Sequence, residues 1–190
     1  MSQLGWSIDL GKCTGCGSCA IACKAENRTA PLQSPMPVSQ GGIPEHVSYR
    51  WVFTRESGSY PDVSVDFVSM SCNHCADPAC LKSCPVGAIS KRDSDGIVLI
   101  DQDKCVGCKY CIFACPYGAP QYNSATKKVE KCTFCVHRID AGLPPACVST
   151  CLGRTLTKVD SFSASESGQN APAGFNNSGH TNPSIKFTAK

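Results

Sequence analysis

Sixteen cysteines in 190 residues fall into four quartets, with none left over. The first quartet is Cys13-x2-Cys16-x2-Cys19-x3-Cys23 and the second Cys72-x2-Cys75-x4-Cys80-x3-Cys84. The third is Cys105-x2-Cys108-x2-Cys111-x3-Cys115 and the fourth Cys132-x2-Cys135-x11-Cys147-x3-Cys151. Disulfides, zinc and iron–sulfur clusters compete to explain such a count. Disulfide frameworks belong mostly to short secreted chains. The start, Met1-Ser2-Gln3-Leu4-Gly5-Trp6, has no charged n-region, apolar h-region or twin-Arg pair, and does not read as a signal peptide. Structural zinc takes four ligands, often as two separated pairs, a pattern that only the fourth quartet approaches. A loop with cysteine at every third position instead wraps three iron corners of a cubane. The spacing therefore predicts four [4Fe–4S] clusters.

The last cysteine of each quartet lies one helical turn further on, as in Cys19-Ala-Ile-Ala-Cys23, and projects away from its own loop. In two-cluster ferredoxins that cysteine ligates the other cluster. The second and third quartets are close in sequence, and the segment between them is informative. Ala88 to Lys91 and Ile97 to Ile100 read as short strands, with Asp93-Ser94-Asp95-Gly96 as their turn. Pro85 and Pro116 stop short helices. This stretch, roughly residues 70–120, closely resembles a bacterial-type two-cluster ferredoxin. The first and fourth quartets then form an outer pair around it.

Applied to both pairs, the exchange rule gives four ligand sets. Cys13, Cys16, Cys19 and Cys151 hold cluster 1, and Cys23, Cys132, Cys135 and Cys147 hold cluster 2. Cluster 3 takes Cys72, Cys75, Cys80 and Cys115, while cluster 4 takes Cys84, Cys105, Cys108 and Cys111. The expected fold is α+β: two interlocked bacterial-type 2[4Fe–4S] ferredoxin-like modules with a β-rich insertion and an extended C-terminal tail. The outer module covers residues 1–30 and 121–159, the insertion 31–68, the inner module 69–120 and the tail 160–190. Within the insertion, Thr29 to Pro44 reads as loop. Tyr49 to Arg55 and Val63 to Val68 read as strands by aromatic and β-branched content, forming a sheet beside the clusters. The tail is rich in Ser, Asn, Gly and Ala. That composition predicts an extended or disordered segment in isolation, ordered when laid over a partner.

The formal charge of +3 counts every cysteine as a neutral thiol. Each cluster with four thiolates adds about −2, so four of them bring the total to about −5. A nucleic-acid partner is thereby excluded as a reading of the basic pI. No apolar run approaches the roughly 20 residues that span a bilayer. Chemistry on a substrate has no support: His46, His74, His137 and His180 are scattered, and there is neither a P-loop nor a dinucleotide fingerprint. His74 sits inside Cys72-Asn-His-Cys75 and is expected to pack or hydrogen-bond near a cluster rather than ligate it. Gly15, Gly17 and Gly107 lie in the cysteine loops, where backbone must approach sulfur closely. Four clusters in so small a chain predict stepwise electron transfer, and a protein that does not fold without iron.

From Ile8-Asp9-Leu10-Gly11-Lys12-Cys13 to about Thr155 the chain resembles the four-cluster B subunits of the dimethyl sulfoxide reductase family of molybdenum enzymes. The resemblance is carried by Ser71-Cys-Asn-His-Cys-Ala-Asp-Pro-Ala-Cys80, Cys115-Pro-Tyr-Gly-Ala-Pro-Gln-Tyr-Asn123 and Lys131-Cys132. The tail run Thr181-Asn-Pro-Ser-Ile-Lys186 is similar as well. The resemblance implies a non-catalytic electron-transfer subunit of a dimethyl sulfoxide reductase-like respiratory reductase. Its partners are then a molybdopterin-containing catalytic subunit and an integral membrane anchor linked to quinol. It also implies a peripheral, membrane-associated location, on either side of the membrane, with the outer cluster pair nearer the molybdenum subunit. Some relatives carry Trp at the position of Cys108 and hold a three-iron cluster there, whereas this chain keeps Cys. Leu152 departs from the Pro that often follows the fourth quartet. The alternatives are a B subunit for thiosulfate, polysulfide, tetrathionate, arsenate, nitrite or formate chemistry, and a free polyferredoxin.

Overall fold

The computed structural model describes residues 2–29, 47–177 and 179–188. Most of the loop expected over Thr29 to Pro44, and His46, lie outside the described residues. The elements run β1 (Gly5–Asp9), α1 (Ser18–Asn27), β2 (Arg50–Ser59), β3 (Asp62–Ser71), α2 (Ala79–Lys82), β4 (Ile89–Lys91), β5 (Val98–Ile100) and α3 (Tyr110–Ala114). They continue with β6 (Gln121–Asn123), β7 (Lys128–Glu130), α4 (Val136–Asp140), α5 (Ala146–Ser149), β8 (Leu156–Val159), a 3-10 turn (Ala164–Glu166) and β9 (Ile185–Thr188).

Among the described residues, four of the five α-helices have only four or five residues, far too few to be stable alone. Each of α1, α2, α3 and α5 carries the cysteine that precedes the last one of its quartet. Their starts alternate in kind: α1 and α3 follow left-handed Gly17 and Lys109, whereas α2 and α5 follow extended Pro78 and Pro145. Packing has the same nesting, with α1 against α5 and α2 against α3. The strands expected between the second and third quartets form as the antiparallel pair β4–β5.

The insertion strands form a longer hairpin than their composition suggested, running from the pair Arg50↔Ser71 to Ser59↔Asp62. Its base is buried through Arg50, Trp51, Val68, Ser69, Met70 and Ser71, while its far half is exposed. The hairpin also passes the boundary expected at residue 68: β3 runs on to Ser71 and delivers the polypeptide directly into Cys72. Core contacts, rather than β-propensity, therefore define the useful half of this element.

The tail differs from its expected extended form. Residues 160–177 and 179–188 fold back over the rest of the protein, because a few apolar side chains spaced through the polar sequence anchor them. β9 pairs in parallel with β1, and β8 pairs with the other edge of β1, giving the sheet order β8-β1-β9. Trp6, Ile8, Leu156, Ile185 and Phe187 fill one face of this sheet and join the main core. Phe175 stacks on Tyr117, and the backbone N–H groups of Ala76 and Asp77 donate to Asn182 and Thr181. None of the three strands of this sheet was apparent from local sequence.

Candidate metal centres

The cysteine loops turn through backbone that a side chain would obstruct. Gly15 has φ +71°, and a Cβ there would stand 2.5 Å from the Phe67 ring. Gly107 has φ +69°, and its Cβ would meet the Lys127 carbonyl at 2.2 Å. These two glycines let the loops of the first and third quartets close against their neighbours.

Four groups of thiols result, each drawn from two quartets. Cys13, Cys16, Cys19 and Cys151 line one cavity together with Val52 and Ser69. Cys84, Cys105, Cys108 and Cys111 line another, beside Val86 and Val129. The charge of Cys23 is felt with those of Cys132, Cys147 and Cys135, and that of Cys75 with those of Cys72, Cys115 and Cys80. Neighbouring groups also touch electrostatically: Cys147 with Cys19, Cys132 with Cys72, and Cys80 with Cys111. By these neighbours the groups follow one another in the order marked by Cys16, Cys135, Cys75 and Cys108. Among the described residues no three His, Cys, Asp or Glu side chains converge as ligands of a single ion must.

Several of the buried thiols, left bare, are weak acids. Burial pushes Cys132 and Cys80 up to about 12 and Cys111 to about 11, and the like charges of neighbouring thiols act in the same direction. Burial likewise drives Cys23 and Cys75 upward. So many thiolates can be held together only around a strongly cationic core. Donors are already aimed at several sulfurs. The N–H groups of Ala88, Phe134 and Val129 donate to Cys84, Cys132 and Cys105 at 3.3, 3.4 and 3.5 Å. Other buried donors, Arg50 Nε, Asn73 Nδ2 and His74 Nε2, have no partner among the described residues. Orphan donors beside clustered thiols fit a group rich in acceptor sulfur. The residues present therefore suit [4Fe–4S] clusters.

His74 is fully buried and accepts a hydrogen bond at Nδ1 from the Val98 N–H at 3.0 Å, which puts its own proton on Nε2. Burial, then the charges of Lys131, Arg50 and Lys91, hold it well below its ordinary range, so it is neutral. It packs edge-on against Phe134. His137 lies instead at the surface, 2.7 Å from Glu26. Two buried cations have no counterpart in the sequence pattern. Arg50 and Lys131 are 1% and 3% exposed, and both lie among the cysteine groups. A basic residue in a strand or beside a cysteine carries no signal of burial.

Residues 63–161 match the 4Fe-4S dicluster domain family, and residues 6–27 the 4Fe-4S binding domain family. The protein is also 44% identical over 156 residues to the B polypeptide of the anaerobic dimethyl sulfoxide reductase of Escherichia coli (strain K12), a match spanning 82% of this protein and 72% of that one. This protein belongs to that family of iron–sulfur B subunits. Its counterpart in the sulfite dehydrogenase of Allochromatium vinosum is 42% identical over 160 residues, 80% of this protein and 66% of its own length. The corresponding polypeptide of the tetrathionate reductase of Salmonella typhimurium is 44% identical over 146 residues, 77% of this protein and 53% of its own length. As a member of the family, the protein is ferredoxin-like, carries four [4Fe–4S] clusters and transfers electrons.

Proposed function

We propose that this protein relays electrons in single file between a molybdopterin catalytic subunit at its Cys16 end and a quinol-linked membrane anchor at its Cys108 end. The observation that carries the reading is the succession of neighbouring thiol groups, whose first and last members include the exposed Cys16 and Cys108. Apolar side chains flank each end: Ile21 and Leu152 near the first, and Val106, Tyr110 and Phe113 near the last. A redox chain that docks at both termini needs such surfaces. Each bound cluster supplies a one-electron couple whose potential the surrounding protein sets.

The ligand sets in this reading are Cys13, Cys16, Cys19 and Cys151; Cys23, Cys132, Cys135 and Cys147; Cys72, Cys75, Cys80 and Cys115; and Cys84, Cys105, Cys108 and Cys111. Support comes from the thiol neighbours of each group and from the packing of α1 on α5 and α2 on α3. Two interlocked ferredoxin-like modules follow, the outer from residues 1–30 and 121–159 and the inner from 69–120, with the hairpin insertion between them. No helix among the described residues is long and apolar enough to cross a membrane. In this reading the protein sits at the membrane as a peripheral subunit, held by its anchor. Relatives named for dimethyl sulfoxide, sulfite, tetrathionate and selenate enzymes support a respiratory oxidoreductase of this group.

The test is metal analysis of the complex that this protein carries down when purified anaerobically. The relay reading expects about 16 iron atoms from this subunit, further iron from a partner, and molybdenum or tungsten in roughly equal number to this subunit. Full iron without either heavy metal would overturn the molybdoenzyme assignment and favour a free polyferredoxin.

A further inference from the structure

Arg50 opens β2 at the buried base of the hairpin. Its guanidinium lies 4.6 Å from the centre of the Trp6 ring. Nη1 donates to Ser69 Oγ at 2.9 Å, and Nη2 to Ser71 Oγ at 2.8 Å. Both serines are neutral, so they satisfy the two Nη groups but leave the charge, and Nε, without a partner. A guanidinium does not lose its proton in a protein. A buried charge without a counter-charge is strongly unfavourable, and the charges that Arg50 faces belong to Cys147, Cys19, Cys132 and Cys23. Those four cysteines come from the two groups of the outer pair.

Contacts on the two sides differ. Towards one group its charge acts directly on Cys147. Towards the other it acts through Ser69, whose Oγ is 3.4 Å from Cys19 Sγ. Because that hydroxyl already accepts from Arg50, its own hydrogen is available to the Cys19 sulfur. One fixed cation therefore reaches a ligand of each group, directly in one case and by a hydroxyl in the other.

We propose that Arg50 is a positioning residue that sets the reduction potentials of the two outer clusters, by holding a permanent positive charge near the sulfurs of Cys19 and Cys147. The proposal rests on the four-cluster relay reading. Accepting one electron from a neighbouring site adds one negative charge, with no bond made or broken and no proton moved. A cation acting on both groups favours that added charge, so Arg50 raises both potentials. Ser69 transmits the effect to the Cys19 side alone.

The experiment is an anaerobic redox titration of the purified complex, followed by electron paramagnetic resonance, for Arg50→Gln, Arg50→Lys and Ser69→Ala. Arg50→Gln is expected to lower two of the four midpoint potentials by about 59 mV or more each, a tenfold shift in a one-electron equilibrium, and to leave the other two unchanged. Arg50→Lys keeps the charge and should retain most of both values, whereas Ser69→Ala should lower only one of them. Four wild-type potentials in Arg50→Gln with its iron intact would overturn the proposal, as would an equal shift in all four. If Arg50→Gln fails to hold iron, Ser69→Ala decides, and unchanged potentials there overturn it. Wild-type complex with far fewer than about 16 iron atoms would overturn the relay reading instead.

Discussion

Buried sulfur and buried cations set the behaviour of individual residues in this protein. The last cysteine of each quartet was legible as an outlier because it lies one turn beyond its loop, and the structure places Cys151 beside Cys13 and Cys23 beside Cys132. Cys23→Ser and Cys132→Ser should therefore alter the same paramagnetic signal, while Cys151→Ser and Cys13→Ser alter a different one. If Cys23→Ser matches Cys13→Ser, the exchange of ligands is wrong. Gly15→Ala is expected to cost about 1–2 kcal/mol for a left-handed Cβ, and more for displacing Phe67. A lower temperature of iron release would register that loss. Arg50 was not legible at this scale. In Tyr49-Arg50-Trp51 an arginine reads as the solvent-facing member of a strand, and only the burial of both hairpin faces at its base puts it inside.

Elements here are short and borrow their stability from one another. Glu26 on α1 accepts from His137 and Arg138 on α4 and so ties the two parts of the outer pair. The hydrogen bond from His137 is the largest cause holding the Glu26 carboxyl below its ordinary 4.5, opposed by burial and assisted by the Arg138 charge. A depressed carboxylate adds stability above its unfolded value and loses it as pH falls through the folded one. Glu26→Gln should thus lower stability at pH 7 by about 0.2–1 kcal/mol, with the difference from wild type shrinking below about pH 4. Thermal unfolding at several pH values checks it. Phe187→Ala in β9 should cost far more, about 3–5 kcal/mol, because Phe187 is buried against the core beneath β1. A denaturation midpoint close to wild type would contradict that packing role. β4 and β5 were readable from alternating content around an Asp-Gly turn. β1, β8 and β9 were not, since a strand paired across most of the sequence has no local signature, and the tail's polar average hid Phe162, Phe175, Ile185 and Phe187.

Across the whole molecule, the outer and inner parts are joined by polar contacts as well as by apolar core. Lys131 Nζ donates to the Val98 carbonyl of β5 and to its neighbour Cys132 O, and the Leu4 N–H donates to the Asp95 carbonyl. Arg92, at the β4–β5 turn, forms a salt bridge with Asp140 of α4 at 2.7 Å. Cysteines make up a large part of the two core clusters, so the interior is completed by the groups those cysteines hold. Removal of iron should abolish the cooperative fold, leaving no near-UV circular dichroism from packed Trp6 and Trp51. Native-like dichroism in iron-free protein would refute this expectation.

The sequence by itself determined the cluster count and the cluster type, because a cubane's ligands are arranged by spacing within a few residues. Tertiary structure alone decided which thiol groups adjoin, that the tail seals the protein's own first strand, and that Arg50 is buried on Ser69 and Ser71 near the outer thiols. Those outcomes depend on side chains brought together from distant segments, where burial and charge compensation choose the partners, and no local pattern records that choice.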